Sequence, residues 1–137
     1  MTDTATRTLT VTVPMAPPSK LFPNQASKQG HWSTRSRLRA ECREVAYFAA
    51  RSSVPLDTAP ITGPVELTLH IGYPSRRRLP DLDASISGAK ALLDGVVDAG
   101  ILADDDQVAR IIATHEKLPK GEAEFTRLTF TELETEP

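Results

Sequence analysis

The chain has 137 residues, 39% hydrophobic and 25% charged, with a formal net charge of −2. That length suits one domain with its own core, the apolar content exceeds that of a wholly disordered chain, and the slight acidity argues against binding nucleic acid by bulk charge. No run approaches the ~20 apolar residues of a membrane helix, and the opening MTDTATRTLTVTVP lacks the basic-then-apolar pattern of a secretory signal.

Thr8–Val13 (TLTVTV) alternates polar and β-branched apolar residues, the period-2 pattern of a half-buried strand. Pro14, Pro17, Pro18 and Pro23 then bar regular structure, so 15–30 reads as a loop. His31 and Trp32 follow; packing of the indole on the next helix is the simpler role for it, stacking on an unpaired base the other. Ser33 or Thr34 serves as N-cap for a helix running to about Ser52. Its apolar stripe is Leu38, Cys42, Val45, Ala46 and Ala49, and most of Arg35, Arg39, Arg43 and Arg51 lie off it. Cys42, the one cysteine, leaves no internal disulfide and fits a reducing compartment, the cytoplasm. Residues 53–64 are a proline-rich connector. Val65–Tyr73 (VELTLHIGY) alternates again, with Val65, Leu67, Leu69 and Ile71 on one face and Glu66, Thr68 and His70 on the other.

Residues 81–98 project as an amphipathic helix, with Ile86, Ala89, Leu93, Val96 and Val97 on one side and Asp83, Ser87, Lys90 and Asp94 on the other. Gly100 is its C-cap. An acidic turn, Asp104 to Asp106, leads to strands at 108–115 and 125–133, joined as a hairpin by a turn at 119–121. The order β-α-β-α-β-β predicts a single α+β domain over 1–137 in two layers, a mixed sheet with two helices packed on it. Residues 133–137 read as an acidic tail.

The chemistry concentrates between Arg76 and Gln107. Asp81 and Asp83 stand at i and i+2 where strand gives way to helix; Asp104, Asp105 and Asp106 follow after the helix and a glycine-containing turn that returns the chain to the same neighbourhood. Carboxylates brought to one spot repel unless a cation neutralises them. Hard oxygen ligands in small number suit Mg²⁺ or Mn²⁺, which activates water or clamps a phosphate. The same residues also fit an N-capping Asp, worth ~1 kcal/mol with its dipole interaction, followed by a solvated turn; spacing leaves both open. An EF-hand fails, because the sixth and twelfth positions from Asp81 hold Ile86 and Leu92. Zinc would have Cys42, His31, His70 and His115, at no useful spacing. Lys90 is placed to pair with the carboxylates or to stabilise charge on a phosphate, or else belongs to an ordinary i,i+4 polar face.

Three segments, PDLD (Pro80 to Asp83), KALLDGVVDAG (Lys90 to Gly100) and DDDQV (Asp104 to Val108), resemble the RusA family of Holliday-junction resolvases, the crossover-junction endodeoxyribonucleases. PPS (Pro17 to Ser19), PN (Pro23, Asn24), HW (His31, Trp32) and the basic helix extend the likeness over nearly the whole chain. The resemblance implies a homodimeric, Mg²⁺-dependent endonuclease, with Mn²⁺ as a substitute, that nicks four-way junctions or other branched DNA in pairs. It implies catalytic and metal-binding roles for Asp81, Asp83 and Asp105, a secondary metal-binding role for Asp104, and a catalytic lysine at Lys90. Asp105 is the matching member of the acidic pair because it stands eleven residues after Asp94 and two before Gln107. Two positions depart from the family pattern. Ala84 replaces the Asn that follows the DxD, and Lys90 lies seven residues after Asp83 instead of four, with similar facing about one turn further along.

On this reading Arg76, Arg77 and Arg78, beside the acids, and Arg35, Arg37, Arg39 and Arg43, on the first helix, hold DNA phosphates without reading sequence. Two alternatives remain: a branched-DNA-binding protein of the same fold with weakened catalysis, and a protein-interaction module whose acidic turn is only surface.

Overall fold

In the computed structural model, which describes residues 7–22 and 32–134, four strands form one mixed sheet: β1 (Thr8–Val13), β2 (Val65–Tyr73), β3 (Val108–Lys117) and β4 (Phe125–Glu132). Against it pack α1 (Trp32–Ser53), α2 (Leu82–Gly88) and α3 (Lys90–Asp98), the last two forming one helical run. The result is the expected two-layer α+β domain. His31, the side chains of Trp32 and Ser33, and the tail beyond Glu134 lie outside the described residues.

Period-2 alternation sets the two faces of the sheet. Val11, Val13, Leu67, Leu69, Ile71, Tyr73, Leu128 and Phe130 point to the helices and join Cys42, Ala46, Leu92 and Val96 in the core. The opposite face is a polar ladder: Thr10 meets Thr129 at 3.2 Å, His70 Nδ1 meets Thr114 at 2.7 Å, and Arg110 Nε donates to Glu66 at 2.6 Å. Such cross-strand pairs let one face stand in water while the other is buried.

The strand order is β1-β4-β2-β3, with β2 and β3 parallel and the other pairs antiparallel. The expected hairpin between the last two strands is therefore not formed, because β2 lies between them. The reason is at Gly72, where a Cβ would lie 2.5 Å from the Phe125 ring and 2.9 Å from Leu118. The bare backbone lets the connection cross over the end of β2, and the Leu118 N–H donates to the Tyr73 carbonyl at 2.8 Å. β4 buries Thr126, Leu128 and Phe130 and so gains more from a central position than from an edge.

The helix expected over 81–98 is interrupted at Ala89 (φ −80°, ψ −5°). Gly88, just before it, admits the Phe22 ring, 2.6 Å from where a Cβ would stand. Hydrogen bonds from Ala89 to Ser85 and from Leu93 to Ala89, both 3.0 Å, carry the helical run across the break. The closest helix approach is at Gly95, where a Cβ would lie 2.1 Å from the Arg43 carbonyl oxygen and 2.8 Å from Ala46. Cys42 is buried at this crossing, its thiol pushed up to about 11 by burial and then by Glu41. Gly100 (φ +89°) turns the chain out of α3. Ile61 then accepts from Ala103 and donates to Ile101, tying the proline-rich connector to the approach of the acidic turn. No helix among the described residues is long and apolar enough to cross a membrane.

Replacing Gly95 by Ala drives a methyl group into the α1 backbone. It is expected to destabilise the fold by at least about 2 kcal/mol, seen as a melting temperature lower by roughly 6 °C or more in thermal denaturation. Gly100→Ala meets no atom and is expected to cost about 1 kcal/mol through its left-handed backbone alone. An unchanged melting temperature for Gly95→Ala would contradict the close crossing.

Candidate active site

The loop leaving β2 delivers Asp81 to the start of α2. Asp81 has extended backbone (φ −66°, ψ 149°), and its carbonyl accepts the Ser85 N–H at 3.1 Å, so it occupies the N-cap position. Its carboxylate makes no capping bond. Asp83 Oδ1 accepts the adjacent Ala84 N–H at 3.0 Å. Both side chains are exposed. Capping therefore explains the backbone of Asp81 and leaves its carboxylate unexplained.

The acidic turn divides its carboxylates between two jobs. Asp104 Oδ1 accepts the Asp105 N–H at 2.7 Å, and Gln107 Oε1 accepts the Asp104 N–H at 2.7 Å, a reciprocal cap. Gln107 Nε2 also donates to the carbonyls of Ile61 and Gly63, both at 2.7 Å, which fastens the turn to the connector. Asp104 is thus occupied structurally. Asp105 instead reaches α3, where its Oδ2 accepts from Lys90 Nζ at 3.2 Å. Lys90 donates at the same time to Asp94 Oδ1 at 2.8 Å. The Lys90 ammonium holds the Asp105 carboxyl below the ordinary carboxylate range. Lys90 itself is raised, first by its hydrogen bond to Asp94 and then, against a smaller opposing effect of burial, by Asp105. Lys90 and Asp105 are both charged at neutral pH.

Asp81 and Asp83 share no hydrogen bond or ion pair with Asp105. Among the described residues no group of three or more His, Cys, Asp or Glu side chains is placed to hold a metal ion. A hard divalent cation needs several oxygens at ~2.0–2.6 Å, and the expected gathering of Asp81, Asp83 and Asp105 around one is not assembled in this arrangement. The ammonium of Lys90, shared with Asp94, supplies to Asp105 alone of the three the neutralising charge that a cation was expected to supply.

A second constellation escaped the sequence reading. Tyr73 and Ser85 are both fully buried; the Tyr73 hydroxyl meets Ser85 Oγ at 2.7 Å, and Ser85 Oγ meets His115 Nδ1 at 3.0 Å. Burial raises the Tyr73 phenol, against the lowering effect of that hydrogen bond. This chain ties the helix carrying Asp83 to the ends of β2 and β3. Its one signal in the sequence is a tyrosine at an inward strand position, whose hydroxyl must find a partner when buried.

The arginines part company. Arg76 and Arg78 are exposed. Arg77 is spent on the protein, its Nη2 donating to the Pro17 carbonyl at 2.9 Å and its guanidinium lying 4.8 Å from the centre of the Tyr73 ring. Arg43, expected on the phosphate path, binds Asp98 through both Nε and Nη2, the latter at 2.8 Å, and clasps α1 to α3. Arg35 and Arg39 line a hollow of about 280 Å³ with Ser87 and Lys90, and among the described residues no carboxylate borders it. Arg37 and Arg77 border a second hollow, about 440 Å³, with Lys20, Thr34 and Glu41. No protein-family model and no curated protein matches the chain.

Removing the ammonium with Lys90→Ala is expected to move the Asp105 carboxyl titration upward, followed by carboxyl-resolved NMR. Because the folded value lies below the unfolded one, the tie is intact at neutral pH and is lost as pH falls through the folded value. An Asp105 titration indifferent to Lys90 would contradict the contact.

Proposed function

We propose that this chain is a Mg²⁺-dependent endodeoxyribonuclease that acts on four-way junctions and other branched DNA. The likeness of PDLD, KALLDGVVDAG and DDDQV to the RusA family supports the substrate class. The observation that carries the site is the 3.2 Å contact of Lys90 with Asp105, two residues to which the resemblance gives catalytic roles and that lie fifteen apart in the chain. Asp104, the rival carboxylate, is spent on its cap. The ion enters this reading from the resemblance, since the acids in their present arrangement do not enclose one; the reading requires Asp81, Asp83 and Asp105 to close on it with DNA in place.

The roles of the chain's own residues follow from their surroundings. Arg35, Arg39 and Ser87 offer hydrogen bonds to a backbone phosphate in a hollow that contains no competing acid. Exposed Arg76 and Arg78 extend the contact beside Asp81. Lys90 keeps Asp105 ionised and oriented. In a homodimer two such sites nick two strands in a symmetry-related way. This reading puts the protein in the bacterial cytoplasm, on host or phage DNA, consistent with one buried thiol and no disulfide.

A second reading, binding of branched DNA without cleavage, is favoured by Ala84 and by the ammonium already standing between Asp94 and Asp105. One experiment separates the two. A synthetic four-way junction incubated with Mg²⁺ or Mn²⁺ is expected to show paired nicks, reduced roughly 100-fold or more by Asp83→Asn. In EDTA that variant keeps its affinity, while Arg35→Ala and Arg39→Ala each weaken binding and lower the salt slope by about one. Binding without nicks selects the second reading; no binding at all defeats both.

A further inference from the structure

We infer that the edge of β3 is a docking surface for a second copy of this chain, the two strands pairing antiparallel about a two-fold axis through Ala113. β3 ends the sheet with β2 as its one neighbour, so ten residues present a row of N–H and C=O groups on the far side. Proteins blunt such edges with proline, bulges, charged side chains or a covering segment; of the charged residues of β3, Arg110 and Glu116 are each engaged by a side chain of β2. β3 contains no proline, its register shift is confined to the start of its pairing with β2 at Val65/Glu66, and among the described residues nothing pairs with its outer edge. Ile111 and Ile112, 47% and 48% exposed, stand on opposite faces of this same strand.

The order of side chains chooses both the occupant and the register. Pairing with β2 puts Arg110, Ile112, Thr114 and Glu116 on the polar face and Ile111, Ala113 and His115 on the helix face. An axis through a residue of β3 keeps the helices of both copies on one side of a continuous sheet. With the axis at Ala113, Arg110 faces Glu116 of the second copy twice over, and Ile112 faces Thr114. With the axis at Ile112, Glu116 faces Val108; with the axis at Thr114, it faces Ile112. Of these three, the first register alone matches opposite charges, and directly opposed unlike charges stabilise antiparallel pairs. Within each copy Glu66 already pairs with Arg110, and His70 with Glu116 at 2.7 Å. Across the junction the row therefore reads Glu66, Arg110, then Glu116 of the second copy, itself held by the His70 ring of that copy. The opposed charges Glu66, Arg110 and Glu116 repeat on the other side of the axis.

This names the surface behind the homodimer of the proposed function and rests on that reading only for the dimer's use. Association and cleavage are measured separately. Sedimentation of the full chain at tens of micromolar is expected to give twice the monomer mass. Ala113→Cys is expected to crosslink to its own copy on mild oxidation, since opposed residues lie about 5 Å apart. Ala109→Cys, about 26 Å along the strands from its mate, is expected not to. Arg110→Glu should weaken association at least tenfold, and Arg110→Glu with Glu116→Arg should recover it. The cysteine pair leaves Arg110 in place, so it decides the matter even if Glu66 prevents Arg110→Glu from folding. A monomer overturns the inference, and so does a dimer in which Ala113→Cys stays uncrosslinked or Ala109→Cys crosslinks as readily. A dimer without nuclease activity leaves the surface standing and removes the nuclease; a monomer that cuts does the reverse.

Discussion

The contact of α3 with the backbone of α1 at Gly95 governs where every charged group of the site stands. A residue without a side chain lets the two helices approach to the point where one carbonyl oxygen fills the space of a Cβ. At that separation the Arg43 guanidinium spans to Asp98, and the pair fixes the rotation of α3 about its own axis. The rotation in turn aims Lys90 and Asp94 outward, past the apolar side formed by Leu92 and Val96, toward the acidic turn. A wider spacing would carry Lys90 away from Asp105 and open the hollow it shares with Arg35 and Arg39.

Electrostatics then sort the acids of one short stretch by what each one meets. Asp104 is drawn into a cap, Asp98 into an arginine clasp, and Asp94 and Asp105 into a lysine bridge. Among the described residues Asp81 and Asp83, at the mouth of α2, and Asp106, in the acidic turn, meet no cation. Exposed ion pairs of this kind contribute little to stability. Their arrangement is better read as a matter of placement: positive charge from α1 and α3 around one hollow, and unpaired negative charge where α2 begins.

Period-2 alternation made β1 and β2 legible to the residue, because a half-buried strand imposes that pattern whatever its neighbours. Strand order was not legible. Whether β4 lies beside β3 or crosses to the far side of β2 is decided by the room above Gly72, a property of contacts between distant segments. The break at Ala89 was hidden for the same reason, since it answers to Phe22 packing on Gly88. At the site, spacing alone left Lys90 between an ordinary polar face and a lysine paired with the carboxylates, and which carboxylate it meets depends on how the turn folds back onto α3. The gathering of all three matched aspartates, expected from that likeness, is not present in the arrangement described. Tyr73, Ser85 and His115 were invisible as a set because each is unremarkable alone and the fold joins them. Arg43 looked like its neighbours, and its clasp with Asp98 depends on the helix crossing.

The proposed nuclease requires Asp81, Asp83 and Asp105 to close on one divalent cation when DNA is bound. Mn²⁺ titrated into the complex with a four-way junction, at low temperature and followed by paramagnetic broadening of assigned amides, tests this directly. The signals of Asp81, Asp83 and Asp105 are expected to fade together at one ion per chain. Fading confined to the turn at 104–106, with Asp81 and Asp83 sharp, would contradict that closure.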